Sequence, residues 1–222
     1  MATDYSAPES YASRFEQGDK YEKLCIKLLL VRAKLQYVKN PKPRKTDLMD
    51  KHEMYPMIEV KSCTSNRIAI DEETGLPKFM IVQRYKDSKL AKTDSGPWDT
   101  IKTDKEAFYI KFFETSNYTG VIGFRAADLA AYCEAAILNE DFDDYYDKDH
   151  NIGNVEPDSH KLAHRYYLTQ ITKHIDHWVG FNNICEAIRS TRPAAWRDLY
   201  EAYVDTEFRS AGSRRPPRPR NP

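Results

Sequence analysis

The side chains of Asp47, Glu59 and Lys61 are of the types that metal-assisted phosphodiester hydrolysis needs. In such a site, converging carboxylates hold a divalent ion, one coordination position stays open for water, and a nearby cation stabilises developing charge. On a strand through Glu59, period-two alternation puts Lys61 on the same face, while Ile58 and Val60 enter the opposite, apolar side. Asp47 can reach the same end of the sheet if its own strand is a neighbour. The spacing therefore predicts one site built by two adjacent strands.

Four elements must position these side chains. Residues 19 to 34 repeat apolar side chains at helical spacing, after a helix start at Gly18. A short strand over 35 to 38 follows and ends at a turn rich in proline. Two further strands, over 46 to 49 and 57 to 62, then carry the aspartate and the Glu-x-Lys pair, with a polar connection between them.

This order of residues and elements resembles the PD-(D/E)xK nuclease superfamily of restriction-endonuclease-like proteins, and within it the phage-type and Holliday-junction-resolvase-like members. Members commonly carry a glutamate on the first helix, then a strand, a strand led by aspartate, and a strand with Glu-x-Lys. The resemblance covers residues 18 to 63 and departs at Thr46, where the family's proline would stand, although many members lack that proline. The matching residues are, in chain order, Glu22, Asp47, Glu59 and Lys61.

The resemblance implies an α/β (α+β) fold with a restriction-endonuclease-like core, in which helices flank a central mixed sheet. It also implies a Mg²⁺-dependent DNA endonuclease, with Mn²⁺ as a substitute metal. Asp47 and Glu59 would hold the metal, with the Val60 carbonyl as a further oxygen ligand. Lys61 would orient or deprotonate the attacking water and stabilise the phosphorane. Glu22 would complete the catalytic set.

Other interpretations of the same residues stay open. A Glu-x-Lys pair on a strand is commonly a solvent-facing charge pair. Asp50 could replace Asp47 as the metal ligand, and Glu22 could simply lie on the exposed face of its helix. The whole chain could also be a catalytically inactive nuclease-like domain that binds nucleic acid or serves as a structural assembly subunit.

Charge is segregated along a chain whose formal net charge is zero. Residues 24 to 46 hold seven basic side chains and no acidic one, whereas residues 141 to 149 are densely acidic. Basic side chains that neutralise DNA phosphates release counterions and make binding salt-dependent. The predicted DNA-binding residues are Lys39, Lys42, Arg44, Lys45 and Gln83. Four arginines near the C-terminus either form a nonspecific electrostatic tether to DNA or have no role in binding. They are Arg214, Arg215, Arg218 and Arg220.

Composition narrows the class of protein further. The longest apolar run is too short to cross a bilayer, and the N-terminal residues lack the pattern of a secretory signal. We therefore expect a cytoplasmic protein, including the cytoplasm of an infected host cell, with DNA and no membrane as its partner. The cysteines are too widely spaced for structural zinc and are expected to be reduced. His160 and His164 stand four residues apart without the glutamate of the metalloprotease pattern.

The predicted organisation has four parts: an irregular arm over 1 to 17, a nuclease-like core over 18 to 138, a helical elaboration over 139 to 208 and a disordered basic tail over 209 to 222. Three roles stay open for the helical elaboration: recognition of the DNA target, a homodimer interface, or additional packing against the core. The remaining predicted elements are strands over 67 to 70, 107 to 113 and 120 to 124, an ambiguous strand or helix over 79 to 85, and helices over 126 to 138, 159 to 175 and 194 to 204.

Overall fold

The computed structural model describes residues 8–42, 46–63, 69–83, 85–88, 91–114, 118–139, 143–144 and 163–212. Its elements are, in chain order, α1 (Pro8–Ala33), β1 (Tyr37–Lys39), β2 (Leu48–Asp50), β3 (Ile58–Cys63), β4 (Phe79–Gln83), β5 (Tyr85–Ser88), β6 (Ala91–Asp94), α2 (Pro97–Thr103), β7 (Phe108–Glu114), β8 (Thr119–Arg125), α3 (Ala126–Leu138), β9 (Asp143–Asp144), β10 (Ala163–Tyr167), α4 (Leu168–His174), β11 (His177–Val179), α5 (Phe181–Ser190) and α6 (Ala194–Gly212).

A six-stranded sheet organises these elements, with the strand order β1-β2-β3-β7-β8-β11. β3 and β7 run parallel, and the other neighbouring pairs are antiparallel, so the sheet is mixed. Two smaller sheets are formed by β4-β10-β9 and by the hairpin β5-β6. The predicted α+β class with a central mixed sheet is confirmed.

Helices cover both faces of the central sheet, and each face has its own apolar core. The core under α1, α5 and α6 includes Leu29, Val60, Ile110, Ile184 and Tyr200. The core under α2, α3 and α4, which β4 and β10 help to close, includes Met80, Trp98, Tyr109, Leu129 and Ile171. Burial of these side chains is the main force that holds the helices against the sheet.

β3 alternates between the two faces as its sequence predicts. Ile58 and Val60 are buried in the core under α1, whereas Glu59 and Lys61 are half-buried on the opposite face. The neighbouring β7 lies in parallel register, with Glu59 opposite Tyr109. The two polar side chains of β3 therefore leave the sheet side by side, beside a buried aromatic ring.

The N-terminal prediction needs a correction, because α1 begins at Pro8. The predicted arm over 1 to 17 is wrong for residues 8–17, which are helical. Proline suits the first turn of a helix, where no backbone N–H is needed. Gly18 lies inside the helix instead of starting it, at a cost of about 1 kcal/mol relative to alanine. Packing of the following turns against the sheet offsets that cost, and residues 1–7 lie outside the described part.

The C-terminal third is not a purely helical elaboration, so that prediction is wrong. Within the helix predicted over 159 to 175, residues 163–167 instead form β10, which pairs with β4, whereas residues 168–174 are helical as predicted and form α4. β11 extends the central sheet beside β8, and α5 and α6 fill the core under α1. α6 continues to Gly212, so residues 209–212 are helical and not part of a disordered tail. Residues 213–222 lie outside the described part.

Several other predictions are resolved by the structure. The helix over 126 to 138 is confirmed as α3, and the strands over 107 to 113 and 120 to 124 are confirmed as the antiparallel pair β7 and β8. The ambiguous segment from 79 is a strand, β4. Residues 67 and 68 of the strand predicted over 67 to 70 lie outside the described part, and Ile70 forms an isolated bridge with Pro77. No described helix could cross a membrane.

Gly96 immediately precedes α2, a helix that the sequence did not predict, and adopts an unusual backbone conformation there. Its φ of 57° and ψ of −138° avoid the regions open to L-residues, and an added Cβ would lie 2.7 Å from the Gln83 carbonyl oxygen. We expect Gly96→Ala to lower the free energy of unfolding by about 2 kcal/mol or more. Thermal unfolding followed by circular dichroism measures this loss. Gly75→Ala is the matched control, because Gly75 has a φ of 66° but no atom within 4 Å of an added Cβ. Equal losses in the two variants would contradict the steric argument.

Candidate metal centre

Asp47 immediately precedes β2 and lies alongside β3. Leu48 pairs with Ile58 in antiparallel register, so the preceding residue lies next to the Glu59–Val60 peptide. The Val60 N–H donates a hydrogen bond of 2.8 Å to Asp47 Oδ2. This backbone contact fixes the carboxylate at the edge of the strand that carries the Glu-x-Lys pair.

Three oxygen atoms converge on one cation, the ammonium group of Lys61. Its Nζ lies 3.4 Å from Asp47 Oδ2 and 3.3 Å from the Val60 carbonyl oxygen, and it forms an ion pair with Glu59 Oε1. These are the three oxygens that the sequence predicted as metal ligands. The structure therefore brings Asp47, Glu59, Val60 and Lys61 together at one point.

The surroundings of Lys61 keep it positively charged. Burial lowers its pKa, but the Glu59 and Asp47 carboxylates outweigh burial and raise the pKa above the ordinary lysine value. The Lys61 side chain is still 36% exposed, against 13% for Glu59 and 22% for Asp47. A side chain with this exposure is held by the site and yet can be reached from solvent.

The donor set fits a hard divalent cation. Two carboxylates and a backbone carbonyl are oxygen ligands of the kind that Mg²⁺ prefers, and Mg²⁺ commonly keeps several waters beside one or two carboxylates. Within the described residues no group of three or more His, Cys, Asp or Glu side chains forms a denser metal site. The ammonium of Lys61 shows that these oxygens already surround one positive charge.

Asp50, the alternative ligand, has a structural role instead. It is 1% exposed, and its Oδ1 accepts a 2.7 Å hydrogen bond from the Tyr200 hydroxyl. Its Oδ2 accepts hydrogen bonds from the backbone N–H groups of Met54 and Tyr55, at 2.9 Å and 3.3 Å. The carboxylate thus ties the connection between β2 and β3 to α6, which favours Asp47 as the ligand.

Glu22 lies on α1 and pairs with a lysine of β1. Its Oε2 is 2.7 Å from Lys39 Nζ, and Lys39 also pairs with Asp19. These acidic partners raise the pKa of Lys39. The pairing engages Lys39, which was predicted to contact phosphates, and joins the first helix to the edge of the sheet.

Two of the other predicted DNA-binding residues, Lys42 and Gln83, lie within the described part of the chain. Lys42 is exposed, and its backbone N–H donates to the Asn40 side chain. Gln83 ends β4, in the small sheet that contains β10. Arg44, Lys45 and the terminal arginines lie outside the described residues.

Of the two histidines that stand four residues apart, the structure describes only one. His164 lies in β10, opposite Val82, and His160 lies outside the described residues. His174 stacks on Tyr132, and His177 begins β11. A shallow cleft of about 480 Å³ runs along Thr172 to Trp178, away from the carboxylates.

Sequence reasoning missed two residues beside the candidate metal centre, both on β7. Tyr109 is buried, and burial raises the pKa of its hydroxyl. Lys111 is 8% exposed and lies opposite Lys61 in the parallel register. A signal for Lys111 was present, because it interrupts the apolar run Phe108–Phe113 of a strand that is buried throughout.

Comparisons with models of protein families and with curated proteins found no match to this chain.

Proposed function

We propose that this chain is a metal-dependent DNA endonuclease with a restriction-endonuclease-like core. One observation carries the proposal: the Asp47 carboxylate, the Glu59 carboxylate and the Val60 carbonyl surround a single cation, the Lys61 ammonium, on an inner strand of a mixed sheet. A solvent-facing charge pair needs only Glu59 and Lys61. The third and fourth partners, and the backbone hydrogen bond that positions Asp47, favour a built cation site.

Asp47 and Glu59 would hold the metal, with the Val60 carbonyl as a third ligand. A divalent cation there supplies a lower pKa for a coordinated water and partial neutralisation of the phosphate. The residues of the chain must then place the scissile phosphate against that water. The carboxylates fix the geometry, because the Val60 N–H and the β2–β3 pairing hold them to a rigid strand.

Lys61 supplies a positive charge in this proposal. Its raised pKa keeps it protonated at neutral pH, so in this arrangement it stabilises the phosphorane and orients the water. To make room for a divalent cation among the same oxygens, its ammonium must shift from them toward the phosphate. The 36% exposure of the side chain and the flexible lysine stem allow that shift.

Cleavage of supercoiled plasmid tests the enzyme directly. We expect nicked and linear DNA in the presence of Mg²⁺ or Mn²⁺, no cleavage in EDTA, and recovery when the metal is restored in excess. A closed circle has no ends, so cleavage of it also identifies an endonuclease. Single strands and a four-way junction, assayed in parallel, define the substrate class.

Binding in EDTA supplies the control for this experiment. If the chain binds DNA in a salt-sensitive manner but cuts none of the substrates with either metal, it is the inactive nuclease-like subunit. Cleavage that persists unchanged in EDTA would instead contradict the metal centre.

A further inference from the structure

Lys111 is a buried lysine on the face of the sheet that carries the candidate metal centre. It lies on β7 directly opposite Lys61 and is 8% exposed. Because β3 and β7 are parallel and in register, the side chains of Glu59, Lys61, Tyr109 and Lys111 leave the same face. Lys111 is therefore a neighbour of the site across one strand.

This lysine has no counter-ion among the residues that the structure describes. The charged or ionisable groups that act on it are Cys63 and Lys61, both on β3. Burial lowers the pKa of Lys111, and the Lys61 ammonium lowers it further against an opposing effect of Cys63. A buried ammonium beside a second ammonium is unfavourable, because like charges on neighbouring strands repel. The fold nevertheless places it here, in a strand that is otherwise apolar along its interior.

The face that holds Lys111 is open at β3. Lys61, which pairs with Lys111, and Cys63, which also acts on the charge of Lys111, are both partly exposed. A long lysine stem lets the ammonium move over several ångströms while its methylene groups stay packed. An anion that enters beside Lys61 can therefore meet a second ammonium.

The charges of Asp47, Glu59, Lys61 and Lys111 sum to zero when no cation and no substrate are bound. Asp47 and Glu59 carry two negative charges, and Lys61 and Lys111 carry two positive charges when protonated. With a divalent cation bound, the group has a net charge of plus two. Attack on a phosphodiester creates a phosphorane with two negative charges, so this excess matches the charge that develops.

We propose that Lys111 is a second cationic residue of the site, which binds a nonbridging oxygen of the DNA phosphate that Lys61 also contacts. The role of Lys111 in cleavage rests on the proposed nuclease function. Phosphate binding by Lys111 requires neither a metal ion nor cleavage.

The test compares Lys111→Met, Lys111→Arg and Lys27→Met, an exposed control on α1, in the full-length chain. Each protein is assayed for plasmid cleavage in Mg²⁺, for the salt dependence of binding to a fluorescent duplex in EDTA, and for thermal unfolding. We expect Lys111→Met to cleave about 100-fold more slowly than the parent. Its salt slope should fall by about 1, because one phosphate contact is lost. Its Tm should be equal or higher, because an unpaired buried charge is replaced by an apolar side chain of similar shape. Lys111→Arg should keep the parental salt slope.

Each other outcome has a separate meaning. Parental cleavage and slope in Lys111→Met would overturn the inference, and so would a loss of cleavage explained by a matching fall in Tm. If the parent binds DNA but never cleaves it, the nuclease proposal fails, while the salt slope in EDTA still decides whether Lys111 binds phosphate. A parent that neither binds nor cleaves DNA overturns both.

Discussion

Glu59→Gln is expected to cleave plasmid at least about 100-fold more slowly than the parent, with DNA binding in EDTA nearly unchanged. The substitution keeps the size of the side chain and removes the negative charge that pairs with Lys61. It therefore weakens the metal site and frees the ammonium from one of its two carboxylate partners. Asp47→Asn should have a similar effect, because the Val60 N–H can still donate to the amide oxygen while one charge is lost.

The matched control for this loss is Glu72→Gln, an exposed residue in a turn away from β3. Control and parent should cleave at the same rate. The Glu59→Gln protein must also keep the parental Tm within a few degrees, so that a loss of fold cannot explain the result. A Glu59→Gln variant that cleaves at the parental rate would mean that these carboxylates hold no catalytic metal.

The part of the site on β3 was predictable because it depends on local spacing. Alternation of Ile58 and Val60 with Glu59 and Lys61 determines which face each side chain takes once the segment is a strand. The order of helix, strand, aspartate and Glu-x-Lys then predicts that β2 and β3 are neighbours, and the two strands do pair. The helix α3 was predictable for a similar local reason, since its thirteen residues are rich in alanine and leucine, which favour a helix.

What could not be predicted depends on contacts between distant parts of the chain. Asp47 immediately precedes β2 and Asp50 is its last residue, and spacing alone does not choose between them. The choice is visible only because Tyr200, 150 residues away, donates to Asp50. Similarly, Lys111 is next to the site only because β7 pairs with β3, a parallel connection that no short motif encodes.

The errors in the C-terminal third have the same physical origin. β10 carries aromatic and charged residues that suit a helix or a strand, and its pairing with β4 decides the outcome. The short helix α5 was missed, although Phe181, Ile184, Cys185 and Ile188 line one buried face. Its apolar positions are spaced for a helix, but ten residues give little statistical weight without the core that they fill.

Asp50→Ala is expected to cause the largest loss of stability of any substitution proposed for this chain. The change leaves the Tyr200 hydroxyl and two backbone N–H groups without an acceptor in a site that is almost fully buried. Hydrogen bonds to a charged group contribute about 1.5–3 kcal/mol each, and a buried donor left without a partner costs a similar amount. We therefore expect a loss of about 4 kcal/mol in the free energy of unfolding, which corresponds to a fall in Tm of about 10 °C.

Two tyrosine variants on α6 separate this hydrogen-bond network from general packing. Tyr200→Phe removes the donor to Asp50 and the acceptor for the Gln36 N–H, and it should cost about 2 kcal/mol. Tyr203→Phe, one turn along the helix, removes only an exposed hydrogen bond to Glu207 and should cost less than about 1 kcal/mol. Chemical denaturation followed by circular dichroism measures all three losses on one scale.

The same variants decide which aspartate belongs to the metal centre. Assayed well below its Tm, Asp50→Ala should cleave DNA at close to the parental rate, because Asp50 faces α6 and not the Glu-x-Lys pair. Asp47→Asn should show the reverse, with a Tm close to that of the parent and little cleavage. If folded Asp50→Ala is inactive while Asp47→Asn cleaves normally, the two aspartates have the opposite roles. The oxygens around Lys61 would then be a structural ion cluster.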